Sequence, residues 1–138
     1  MMDIKSGNII RISGSVVDIL FPKAEHLPPI KTACVAYDAD NQKITLEVMQ
    51  HLTDGSVRTI ALGSTNKLRR SQKAEDTGAA ISIPTGRALL GRMINAVGDP
   101  IDKLGPVTNN QQPTTNNGGQ LSVVSRKSIH NEPPKLYE

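Results

Sequence analysis

Residues Asn8 to Phe21 read NIIRISGSVVDILF, and their apolar phase changes once. Ile10 and Ile12 share one face of an extended segment. After Ser13-Gly14, Val17, Ile19 and Phe21 align instead. Side chains in a strand alternate between two faces, so a slip of one residue carries the whole apolar set to the other face. A slip at a glycine is what a β-bulge produces, and bulges bend strands as closed barrels require. The reading is a bent strand ended by Pro22, with Pro28-Pro29 marking a loop.

The rest of the first half follows the same pattern. Thr32 to Tyr37 is a short apolar strand, and Asp38-Ala39-Asp40-Asn41 is a turn cluster. Lys43 to Leu52 alternates at first, with Ile44, Leu46 and Val48 opposite Thr45, Glu47 and Met49. Thr53-Asp54-Gly55-Ser56 predicts a hairpin turn, Val57 to Leu62 is its return strand, and Ala80 to Ile83 is one more strand, closed by Pro84. Short strands joined by tight turns predict an all-β fold, a small antiparallel barrel or sandwich. Its core must come from Ile, Val, Leu and Ala, because aromatics are 2% of the chain, Phe21 is the only Phe and Trp is absent.

The composition shifts after about Pro106. Residues 108 to 120, TNNQQPTTNNGGQ, carry no charge and no large apolar side chain, which predicts a mobile polar linker that cannot offset its own ordering entropy. The last residues, LSVVSRKSIHNEPPKLYE, hold a brief apolar run and a Pro-Pro break. A length of 138 residues suits one domain with a tail, or a small domain with part of a second.

Other classes find little support. Cys34 is alone, which points to a reducing compartment. No apolar run approaches the roughly 20 residues of a membrane helix, and MMDIKSGN has no hydrophobic signal core. The expectation is a soluble cytoplasmic protein. His26, His51 and His130 have no metal-ligand spacing, and Ser71 and the other serines have no nucleophile-elbow context. Lys67, Arg69, Arg70 and Lys73 form the densest basic cluster, yet Phe21, Tyr37 and Tyr137 are too few and dispersed to stack bases beside it. The net charge of +3 is spread along the chain as a solvated surface.

GRALLGRM, Gly86 to Met93, nearly matches the phosphate-binding loop G-x-x-x-x-G-K-[ST]. Arg92 stands where Lys belongs, and Met93, in the place of Ser or Thr, cannot ligate Mg²⁺. Ala88-Leu89-Leu90 suits a packed helical turn, followed by a strand from Arg92 to Val97 and a turn at Gly98-Asp99-Pro100.

Three blocks resemble the N-terminal part of the β subunit of rotary ATP synthases: GNIIRISGSVVDILFP with LPPI, Leu46 to Gly86, and LLGRMINAVGDPIDKLGPV. A fainter echo follows in SIHNEPPKLYE. VRTIA with the downstream DTG is more similar to β than to its non-catalytic α relative. The resemblance implies a closed antiparallel barrel over residues 7–84, the start of a nucleotide-binding domain over 85–107, and a polar linker and tail over 108–138. It implies an assembly module of the alternating α/β ring, peripheral to the inner membrane through a complex that makes or hydrolyses ATP coupled to proton or sodium transport. The family's phosphate loop, Mg²⁺-associated carboxylates and catalytic glutamate would lie beyond Glu138, so the expectation is no catalytic, metal or cofactor-binding residue in this stretch. ATP, ADP and Mg²⁺ would belong to the parent enzyme. The expected partners are α subunits and other head subunits, and the isolated chain is expected either to self-associate or to leave residues 86–107 poorly ordered. Leu89, Leu90, Met93, Ile94, Val97 and Ile101 would then lack much of their usual cover. The alternatives are a truncated or split-gene product without ATPase activity, and a repurposed barrel that binds nucleic acid.

Overall fold

The computed structural model describes residues 5–107 and 125–130. They divide into two units, with the boundary between Ile81 and Ser82.

The first unit contains β1 (Ser6–Ser13), β2 (Val16–Leu20), β3 (Thr32–Tyr37), β4 (Lys43–His51), β5 (Ser56–Ala61) and β6 (Lys73–Ala80). These six close into an antiparallel barrel in the order β1-β2-β5-β4-β3-β6. Closure leaves no unpaired strand edge, and it decides between the two architectures the strand pattern allowed.

The phase change at Ser13-Gly14 proves to be a chain reversal. Ser13 pairs with Val16 across Gly14-Ser15, and Gly14 has a φ of 61° while Ser15 has none of this kind. A positive φ at the first of two loop residues is the type II′ pattern, whose twist suits a hairpin. Facing residues such as Ile12 and Val17 then differ by an odd number, which in a linear reading looks the same as a bulge. A bulge does exist, but earlier: the register shifts between Ile9 and Arg11. The extra residue, Ile10, is only half-buried, and Ile9 and Ile12 both pack with the core in place of the expected Ile10 and Ile12 pair.

The interior is aliphatic. Ile9, Val17, Ile19, Leu46, Val48 and Val57 are at most 1% exposed, and each such side chain contributes about 1.5–3 kcal/mol by leaving water. Phe21 and Leu68 join the same cluster. Thr59 is also fully buried, and its hydroxyl donates to the Val17 carbonyl at 2.7 Å. Cys34 sits in this interior, where burial, with a smaller contribution from the Asp76 charge, pushes its thiol up to about 12.

The predicted β3, β4 and β5 form within a residue of their expected ends. The 53–56 turn also forms, with Asp54 Oδ1 accepting from the Ser56 N–H at 3.0 Å. β6 was not anticipated. Its sequence is KAEDTGAA and only Ala74 is buried, so it lacks the apolar alternation that marks a strand. It is held by its pairing with β1 and β3, and by the Thr77 hydroxyl donating to the Ala33 carbonyl at 2.7 Å.

The second unit contains β7 (Ser82–Thr85) and β8 (Ser125–Ser128), paired antiparallel, and a 3₁₀ turn at Arg87–Leu89. The strand expected at Ala80 to Ile83 is therefore the end of β6 and the beginning of β7, and Pro84 lies inside β7 instead of closing it. A two-stranded ribbon is all edge, where a missing N–H is tolerated. β8 falls in the stretch read as polar tail. No strand forms from Arg92 to Val97; Ile94 makes an isolated bridge to Pro100. Asn95 is the reason. Its side-chain oxygen accepts from the N–H groups of Val97 (3.1 Å) and Asp99 (2.8 Å), and its carbonyl accepts from Gly98 at 3.0 Å. An Asn side chain that captures nearby backbone competes with extended structure. The turn at Gly98-Asp99-Pro100 is present. Gly98 has a φ of 85°, and a Cβ there would lie 2.5 Å from Pro84 Cδ. The 108 to 120 linker, the Leu121 to Val124 run and the residues after His130, Tyr137 among them, lie outside the described residues.

Candidate functional site

Gly86 to Met93 is a compact turn. Leu89, Leu90 and Arg92 donate their N–H groups back to Gly86, Arg87 and Leu89 at 3.0–3.1 Å. Those donors are spent inside the turn. Arg92, the nearest equivalent of a phosphate-loop lysine, faces Asp102. Nε donates to Oδ2 at 2.6 Å and Nη2 to Oδ1 at 3.1 Å, and Nη2 also reaches the Gly105 carbonyl at 2.5 Å. Asp102 further accepts from the N–H groups of Met93 (3.1 Å) and Leu104 (3.0 Å). The Arg92 hydrogen bonds, more than the backbone ones, hold the Asp102 carboxyl well below the usual carboxylate range, against the opposing effect of desolvation. Both side chains are largely covered, at 16% and 8% exposure. This clasp draws residues ten apart in sequence into one polar centre.

The apolar side chains of this segment divide between exposed and half-buried positions. Leu90, Met93 and Ile101 are exposed, while Leu89, Ile94 and Val97 are half-buried. Leu104 is 69% exposed and belongs with them; an isolated apolar residue between Lys103 and Gly105 gave no periodic signal. Met93 and Leu104 are brought together through the one carboxylate, and the Ile101 N–H donates to the Met93 carbonyl at 2.9 Å.

On the barrel, the remaining candidates have structural tasks. Lys67 pairs with Asp40. The Arg69 N–H donates to the Gln72 side chain at 2.6 Å, and Lys73 opens β6. Ser71 adopts a φ of 67° and donates its N–H to the Ile9 carbonyl at 2.7 Å. His51 Nε2 lies 2.7 Å from the Pro28 carbonyl oxygen and His26 ends a 3₁₀ turn; in the second unit, the His130 N–H donates to Ser128 Oγ at 3.1 Å. Among the described residues no three His, Cys, Asp or Glu are grouped to hold a metal ion, and no helix is long and apolar enough to cross a membrane. Phe21 is buried in the core and Tyr37 is exposed.

One ion pair on the barrel leaves no periodic mark in the sequence. Asp18 sits on the outward side of β2 yet is 3% exposed, because Arg58 on β5 grips it with Nε to Oδ1 at 2.9 Å and Nη2 to Oδ2 at 3.0 Å. The available signal was a single charge in each of two otherwise uncharged strands, VVDIL and SVRTIA.

Compared with known families, residues 9–78 match the model described as ATP synthase alpha/beta family, beta-barrel domain. The match runs from Ile9 in β1 to Gly78 in β6, so it takes in all or part of every barrel strand.

Proposed function

Because this chain belongs to the ATP synthase alpha/beta family, we propose that it is a barrel of the β-subunit kind, an assembly module that packs beside α-subunit barrels in the catalytic head. The observation that carries this reading is the coincidence of the family match with a closed six-stranded barrel. The β-type segments VRTIA and DTG occupy β5 and β6, which supports β over α. In this reading the chain works by shape. Ion transport, ATP and Mg²⁺ belong to the parent complex, on the cytoplasmic side and peripheral to the inner membrane. The Arg92 guanidinium, engaged by Asp102 and Gly105, supports assigning no nucleotide contact to the Gly86 to Met93 turn. The exposed Leu90, Met93, Ile101 and Leu104 suit a surface covered by further protein.

Sedimentation velocity of the chain with and without purified α subunit tests the proposal. A mixed species of fixed stoichiometry is expected. Failure to sediment together at micromolar concentrations of both would sink it.

A further inference from the structure

One row crosses the outside of the barrel. Arg11 on β1 stands opposite Asp18 on β2, Asp18 opposite Arg58 on β5, and Arg58 opposite Gln50 on β4. Cross-strand neighbours of this kind are about 5 Å apart at Cβ. Both Asp18 oxygens are taken by Arg58. Arg11 is exposed, and no described residue pairs with its side chain. The row thus holds two guanidinium groups and one carboxylate, already used. Large apolar side chains flank it. Val16 and Ile60 face each other, half-buried, two pairs along the β2–β5 ladder, and Leu20 is 39% exposed on the other side of Asp18. Met49, at the register shift next to Gln50, is 46% exposed.

We propose that this outer face of β2 and β5 is a docking surface for a partner segment carrying an Asp or Glu among apolar residues, and that Arg11 receives the carboxylate. Charge complementarity selects this partner. Protein interfaces are enriched in Arg and Met at the contact, and a cation unmatched among the described residues, beside an internally neutralised pair, selects one sign of partner and fixes its register. A free carboxylate added to the row completes it as two opposite-charge pairs, whereas a cation would meet Arg11 with no counter-charge. The inference rests on the reading above and names the partner as a neighbouring α-type barrel presenting such a segment.

The experiment measures association of the whole chain with α subunit for the wild type, Arg11→Glu, Leu20→Ser, and Lys43→Glu. Lys43→Glu makes the same charge change at an exposed position, opposite Tyr37. Circular dichroism first confirms that each variant is folded. Arg11→Glu is expected to weaken binding about tenfold or more and flatten its salt dependence. Leu20→Ser should weaken it to a smaller degree, and Lys43→Glu should leave it within about twofold. If the complex forms and Arg11→Glu behaves like Lys43→Glu, the docking surface is overturned while the assembly reading stands. If the wild type does not bind α subunit at all, both fall.

Discussion

The barrel and the segment that follows it are held together by different forces. Residues of the first unit turn a continuous aliphatic set inward and satisfy their backbone in a ring of strand pairs. Between Gly86 and Val107, by contrast, no apolar side chain is fully buried; order there comes from the Asn95 turn and the Arg92–Asp102 clasp. Burial of a shared core is cooperative, because every side chain depends on its neighbours being in place. A clasp made of one carboxylate and its donors is local. The two regions should therefore fail separately, by different perturbations.

The largest effect belongs to the core. Leu46→Ala removes a fully buried side chain and is expected to cost about 2–5 kcal/mol, read as a lower denaturant midpoint. Cys34 gives a second reading of the same event. Its thiol is buried and pushed up to about 12, so labelling by a thiol reagent waits on opening of the barrel and should quicken in the variant. Amide exchange across 92–105 should be unchanged. Joint loss of protection in both regions would break the comparison.

Asp102→Asn is the converse. It should abolish slow exchange at the Met93 and Leu104 amides, which donate to that carboxylate, with the barrel midpoint unmoved. The pH dependence has a fixed sign. Asp102 has a depressed native pKa, so its contribution is complete above the unfolded carboxylate range near 4 and is lost as pH falls below that toward the native value. Protection at these amides should be flat from about pH 7 to 5 after correction for intrinsic exchange. Opening of the loop within that window would mean another group controls it.

The same division explains what the sequence disclosed. The 53–56 hairpin and β3 to β5 were legible because their causes are local: Asp and Gly chemistry in the turn, and alternation of Ile44, Leu46 and Val48. Gly14 was seen as special, but its reversal and a bulge produce the same phase change. β6 was hidden because its partners, β1 and β3, are distant in sequence and its inward positions are small. The clasp joins residues ten apart with no repeating pattern, and Asp18–Arg58 joins residues forty apart. Local propensity around 92–97 favoured a strand until one Asn side chain captured the backbone.

A smaller effect tests how apolar the barrel interior must be. Thr59→Val keeps the side-chain shape and removes the donor to the Val17 carbonyl. Loss of that buried bond should outweigh the gain of a methyl group, for a net cost of about 1 kcal/mol. Measured by urea unfolding, a neutral or stabilising result would show that the hydroxyl is dispensable and that packing alone specifies this wall.

The smallest effect sharpens the comparison most, because it sets an exposed ion pair against a covered one. Lys67–Asp40 and Arg92–Asp102 are both single ion pairs, but the first has side chains 58% and 52% exposed and the second 16% and 8%. In water the attraction of the exposed pair is screened, and holding a long lysine in place opposes it. The loop at 65–68 has other anchors: Leu68 is buried and the Thr65 hydroxyl donates to the Gly14 carbonyl at 2.7 Å. Lys67→Ala should therefore move barrel stability by no more than about 0.5 kcal/mol and leave exchange at the Leu68 amide, which donates to Thr65, unchanged. If Lys67→Ala instead freed that amide as Asp102→Asn frees Met93, the barrel loops would depend on polar clasps as well, and the contrast between the two units would lie in the strands alone.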